Sequence, residues 1–199
     1  VGVVGLYENG TAINELAVAA LGCSVKREGI IAAAQGKLSP PLPQPDKFVV
    51  LDCDQSVLAI ADRRNSVSTL FPDGKTIAVF EGTLTEFQTK GDTPDVSQRQ
   101  YILKLGYYNN ANTDGREADL AALDDKVSSL DGRWTNEAYL GVHSAIGIPT
   151  PDEVVLIHYE NAEIAEKFRD SNSAILRDVG AFNDAHLTSF TYLVGAATR

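Results

Sequence analysis

The chain has 199 residues, 44% of them hydrophobic and 22% charged, and a formal net charge of −10. These proportions are those of a folded globular protein long enough to bury a sizeable core, while the acidic balance works against nucleic acid and anionic membrane surfaces as partners. No apolar run approaches the roughly 20 residues of a spanning helix, and the N-terminus lacks the basic flank and apolar centre of a secretory signal, so the chain reads as soluble.

There is no methionine, so Val1 reads as the start of a processed, trimmed or mature-numbered segment. A removed leader would permit export, which Asn9-Gly10-Thr11, a glycosylation sequon, would fit; the compartment stays open between cytoplasm and export. Cys23 and Cys53 can pair if their Cα atoms come within about 7 Å. With three scattered histidines they form no zinc site of usual spacing. Cys53 lies between Asp52 and Asp54, a setting that raises a thiol pKa and makes a poor nucleophile.

In chain order, residues 1–7 have the apolar density of a buried strand, and Glu8-Asn9-Gly10 is a turn. Ile13, Leu16, Ala17, Ala20 and Leu21 recur at helical spacing up to Gly22, and a second helix is expected over about Lys26 to Gln35. Four prolines between Leu38 and Pro45 remove donors and force extended backbone, as in a stiff connector or an arm onto a neighbouring subunit. Strands follow at Phe48 to Cys53, Val57 to Asp62, Val67 to Phe71 and Thr76 to Glu81, most simply as a β-meander, and the best boundary between regions 1–95 and 96–199 is Thr89 to Asp95.

Beyond that boundary, Arg99 to Tyr108 reads as a strand. Asp114 and Glu117 have the form of a capping box opening a helix whose stripe is Leu120, Leu123, Val127, Leu130 and Trp134. Strands at Glu137 to Ile148 and Asp152 to Tyr159 follow. A helix from Asn161 to Gly180 carries Ile164, Phe168, Ile175 and Val179 on its apolar side, and a strand from Leu187 to Val194 closes the chain.

The expected fold class is therefore α+β: a ferredoxin-like βαββαβ unit in the C-terminal half, preceded by a mixed helix and β-meander half. This element order and its lengths resemble the dimeric α+β barrel superfamily of ferredoxin-like domains. The resemblance implies two sheets closing into a barrel, helices outside and a pocket between the sheets. The second sheet would come from the chain's own first half, as a degenerate second unit, or from a homo-oligomer partner. Members of that superfamily include monooxygenases, polyketide cyclases and haem-dependent enzymes, so the fold does not select a reaction or a cofactor.

Strand alternation names a candidate pocket face. Ala138, Leu140 and Val142 are expected under helices, leaving Tyr139 and His143 facing the pocket as a candidate catalytic acid/base pair. Tyr107, on the side of Tyr101, Leu103 and Leu105, joins His158, Phe190 and Tyr192 as pocket residues, suited to a small apolar or aromatic ligand. His186 is expected as an exposed turn residue.

Two other readings compete. Gly5 and Gly10 match the outer glycines of an NAD(P)-binding phosphate turn like that of β-hydroxyacid dehydrogenases, although Tyr7 stands where the middle glycine belongs; Lys26 and Arg27 would then face a 2′-phosphate. A non-catalytic, self-associating structural protein needs no pocket chemistry at all. A small basic patch such as Arg63-Arg64 could also face an anion, and is otherwise a solvated turn.

Overall fold

The computed structural model describes residues 1–8, 13–58, 70, 75–87, 95–111 and 113–199. Within them the strands are β1 (Gly2–Tyr7), β2 (Cys23–Lys37), β3 (Lys47–Cys53), β4 (Thr76–Glu86), β5 (Gln100–Tyr108), β6 (Thr135–Ile146), β7 (Glu153–Tyr159) and β8 (Leu187–Ala197). The helices are α1 (Glu15–Ala20), α2 (Arg116–Ser128), α3 (Ala162–Ser171) and α4 (Ser173–His186).

The eight strands form a closed barrel in the order β1-β3-β2-β8-β5-β7-β6-β4, every neighbouring pair antiparallel. The same strand order appears twice: β4-β1-β3-β2 in the first half and β8-β5-β7-β6 in the second. The halves are joined along β2–β8 and β4–β6, so the sheet that covers the C-terminal strands is the chain's own. Each of these strands has a partner strand on both sides, so closure leaves no edge strand.

Alternation along the strands separates one interior core from two outer ones. Val4, Leu6, Phe48, Val50, Phe80, Leu103, Leu105, Leu140, Val154, Leu156 and Leu193 fill the barrel. On the outside, Val3, Val49, Leu51 and Val79 pack with Val18 of α1. Ile102 and Tyr159 pack with Val127 of α2, Phe168 of α3 and Ile175 of α4. Trp134 stands edge-on to both Tyr159 and Phe168, with centroids 6.4 and 5.7 Å away.

Several expectations are corrected. Residues 26–35 are not helical but belong to β2, which pairs with β3 on one side and β8 on the other; tertiary pairing overrides the helical look of Ala32-Ala33-Ala34. The first half is not a meander, because β1 lies between β3 and β4. Val57 and Leu58 lie in a bend and a turn, donating their backbone N–H groups to Glu81 Oε2 at 2.6 and 2.7 Å. The rest of the two strands expected over 57–71 lies outside the described residues, apart from Leu70, as do the sequon, Arg63-Arg64 and most of the 89–95 boundary.

In the second half, α2 opens on Gly115 (φ 78°) with no side-chain cap, so Asp114 and Glu117 form no capping box, and Leu120 is exposed while the rest of its stripe packs. The single helix expected over 161–180 is two, broken at Asn172, whose side chain donates to Phe168 O at 3.0 Å; the second runs past Gly180 to His186. His186 is buried rather than exposed: its Nε2 is 2.8 Å from Asp119 Oδ2 and its ring 4.9 Å from that of Phe182. Cys23 and Cys53 oppose one another across β2 and β3 and form a disulfide.

One glycine shows how closely the halves are joined. A Cβ on Gly82 would stand 1.9 Å from Gly141 O across the β4–β6 seam, against backbone that cannot swing away. Gly82→Ala is expected to lower stability by about 1–3 kcal/mol, the usual cost of overpacking, read as a lower urea midpoint; an unchanged midpoint would mean the seam can part.

Candidate functional site

Two irregularities in the strands build a polar cluster at one end of the barrel. In β2 the register shifts between Val25 and Arg27, so Val25 opposes the outward Leu51 while Arg27 opposes the inward Val50. In β6 it shifts between Asn136 and Ala138, leaving Glu137 as an extra residue. Such bulges re-aim side chains. Here they bring Arg27 and Glu137 together, with Arg27 Nε and Nη2 both 2.7 Å from Glu137 Oε1.

Tyr101 and His158 stand directly opposite each other on β5 and β7, rings 5.4 Å apart, both facing inward. Tyr101 donates its hydroxyl to Glu137 Oε2 at 2.7 Å, and His158 Nδ1 lies 3.0 Å from the same oxygen, at an ion-pair distance but off the line of a good hydrogen bond. Arg99 precedes Tyr101 by two residues and shares its face. It follows a short 3-10 turn, Val96–Gln98, capped by the Asp95 carboxylate. Its Nη1 reaches Tyr101 Oη at 3.2 Å and Glu137 Oε2 at 3.3 Å.

Burial works to raise the pKa of Glu137, but His158, the Tyr101 hydroxyl and the Arg27 guanidinium outweigh it and hold the carboxyl at about 2. The Tyr101 phenol is pushed up to about 12, by burial first and then by its bond to Glu137. Near neutral pH the cluster is thus a carboxylate that is a weak base, a neutral phenol and two guanidiniums. Such a wall holds or stabilises charge; it is poorly suited to removing protons through Glu137.

Beside the cluster lies an open cleft of about 520 Å³. Val50, Leu84, Val96, Ala138 and Leu156 give it an apolar lining, Phe87 stands exposed at its rim, and Lys26, Arg27, Arg99, Glu86 and Glu137 supply the charges. Its volume falls in the usual range for small-molecule sites.

The residues singled out from sequence are divided by the barrel wall. His158 is in the cluster. Tyr107 shares its inward side but lies at the opposite end, donating to Pro149 O at 2.7 Å, its phenol pushed up to about 12 by burial and then by Asp152. Tyr139, His143, Phe190 and Tyr192 face outward, the reverse of the expected assignment for β6 and β8. Tyr139 Oη is 3.4 Å from Tyr108 Oη, and Tyr192 accepts from Asn183 Nδ2 of α4 at 2.7 Å. His143 is exposed, its Nε2 3.3 Å from Thr83 Oγ1, beside a smaller cleft of about 370 Å³ that also touches Ser56 and Glu81. The reversal has a simple cause: the narrow barrel interior is filled by aliphatic side chains such as Leu140 and Leu193, while outer positions leave a phenol within reach of polar partners.

Strand alternation puts Tyr101 on the side of Tyr107 and could have pointed to Arg99, two residues earlier, which the sequence reading does not single out; it gives no hint of Glu137, whose inward aim depends on the bulge. The dinucleotide reading loses its support: β1 is flanked by antiparallel partners on both sides, not by the parallel sheet that a phosphate turn caps.

No family model and no curated protein matches the sequence. Among solved structures, that of an anthrone oxidase-like protein aligns with a TM-score of 0.55 at 10% identity, covering 100% of this chain and 91% of that one. An assigned monooxygenase from Fusobacterium nucleatum aligns with a TM-score of 0.50 at 5% identity, again over 100% and 91% of the two chains. What is shared is the fold. It is a mixed α+β fold around a closed, eight-stranded antiparallel barrel. Among the described residues no helix is long and apolar enough to cross a membrane.

Proposed function

We propose that this protein binds and modifies a small, largely apolar organic molecule in the cleft at the Glu137 end of the barrel. The observation that carries this is the pairing of an apolar lining of ligand size with one wall of buried, mutually hydrogen-bonded polar groups. The duplicated strand order supports reading each half as a ferredoxin-like unit, the first degenerate, so that one chain makes the barrel that a dimer makes in the dimeric α+β barrel superfamily. The likeness to an anthrone oxidase-like protein and to an assigned monooxygenase supports an aromatic ketone or phenol as the molecule acted on. For such a substrate, the guanidiniums of Arg99 and Arg27, which line the cleft, are suited to negative charge developing on oxygen. The Cys23–Cys53 disulfide supports the exported over the cytoplasmic reading.

A thermal-shift panel of aromatic ketones and phenols tests this. A ligand at a hundred times its Kd adds about 2.7 kcal/mol, or roughly 5–10 °C in Tm. The shift is expected in the wild type and is expected to vanish in Leu84→Trp, which fills the cleft. No shift with any member, or an undiminished shift in the filled variant, would remove the cleft from consideration.

A further inference from the structure

We infer that the ligand of this cleft is an organic anion, a carboxylate, enolate or phenolate whose charged oxygen sits against Arg99. The inference rests on the cleft being the ligand site, and it specifies the class of molecule.

The charges around the cleft leave Arg99 underpaired. Glu137 Oε1 is taken up by both Arg27 donors, and Oε2 receives the Tyr101 hydroxyl and faces His158. Arg99 reaches that carboxylate only at 3.3 Å, through Nη1 alone. Glu86, the other carboxylate lining the cleft, is 3.3 Å from Lys26, which also lies 3.7 Å from Asp52. The lining therefore carries three cations and two anions in a chain whose net charge is −10.

Burial makes the imbalance costly. Arg99 is 4% exposed, and its Nε is a buried donor with no partner among the described residues. A guanidinium held out of water calls for a second acceptor, and an anionic oxygen satisfies it best. The rest of the lining, Val50, Leu84, Phe87, Val96, Ala138 and Leu156, offers nothing to an inorganic ion and much to a hydrocarbon body. The two halves of the cleft thus fit the two halves of an amphipathic anion.

Calorimetric titration of the 199-residue chain with 2-naphthoate and with 2-naphthamide, a neutral molecule of nearly the same shape, separates the possibilities. The naphthoate is expected to bind about 10- to 100-fold more tightly, the usual worth of a hydrogen bond to a charged group. Arg99→Gln should bring the two affinities within about twofold, while Arg99→Lys should keep part of the preference. Equal affinities in the wild type would overturn the anion assignment and leave the cleft as a neutral-ligand site. Binding of neither molecule at roughly millimolar concentration would overturn both. The wild-type ratio decides the matter even if Arg99→Gln fails to fold.

Discussion

Glu137→Ala is expected to lower folding stability by about 3–5 kcal/mol, the scale seen when one member of a buried charge cluster is removed. Glu137 accepts from Tyr101 and Arg27 and faces Arg99 and His158, so its loss leaves two guanidiniums and a phenol without their common acceptor. The effect is pH-dependent with a definite sign. The carboxyl falls from its ordinary 4.5 to about 2 on folding, so its contribution is complete above about pH 4.5 and is lost as pH falls towards 2. That amounts to about 3 kcal/mol in the wild type. Urea unfolding of wild type and variant at pH 7, 4.5 and 3 measures it: the gap between them should narrow below pH 4.5. A gap that is absent at pH 7, or that widens in acid, would contradict the arrangement described.

Removing the Cys23–Cys53 disulfide is expected to cost about 4 kcal/mol. The cysteines are 30 residues apart, and the figure is the chain-entropy cost of freeing a loop of that length in the unfolded state. The bridge also joins β2 to β3 on the outer face, where Cys53 is buried against the core under α1. Thermal unfolding of the Cys23→Ser/Cys53→Ser double variant, beside the wild type with and without reductant, should show one loss of stability in both the variant and the reduced wild type. Reductant with no effect on a wild type that retains the bridge would mean the bond is shielded; a double variant as stable as the wild type would refute the estimate.

Much of the second half was legible from residue order. The stripe of Leu123, Val127 and Leu130, the alternation of Tyr101, Leu103 and Leu105, and the capping Asn161, which accepts from Ile164 N at 2.8 Å, all report local preferences that the packing keeps. The first half was less so. Residues 26–35 carry alanines that favour a helix in isolation, and only pairing on both sides by β3 and β8 makes them a strand. The meander expectation failed for a similar reason, since local turns do not reveal that β1 returns to lie between β3 and β4. In the candidate site, His158 and Tyr101 follow from strand phase, but the outward placement of Tyr139 and His143 does not: alternation defines two faces without saying which one looks into the barrel.

The sequence by itself determined the α+β class, the strand–helix order of residues 99–195 and the acidic, globular character, because these depend on composition and on contacts a few residues apart. Tertiary structure decided the rest. It closed the barrel within one chain, since β2–β8 and β4–β6 pairing joins residues far apart in sequence. It also built the candidate site, because the bulges at Lys26 and Glu137 turn two charges inward against Arg99, Tyr101 and His158. A one-residue shift of register reverses every side chain beyond it, and such a shift is set by partner strands rather than by the residues that undergo it.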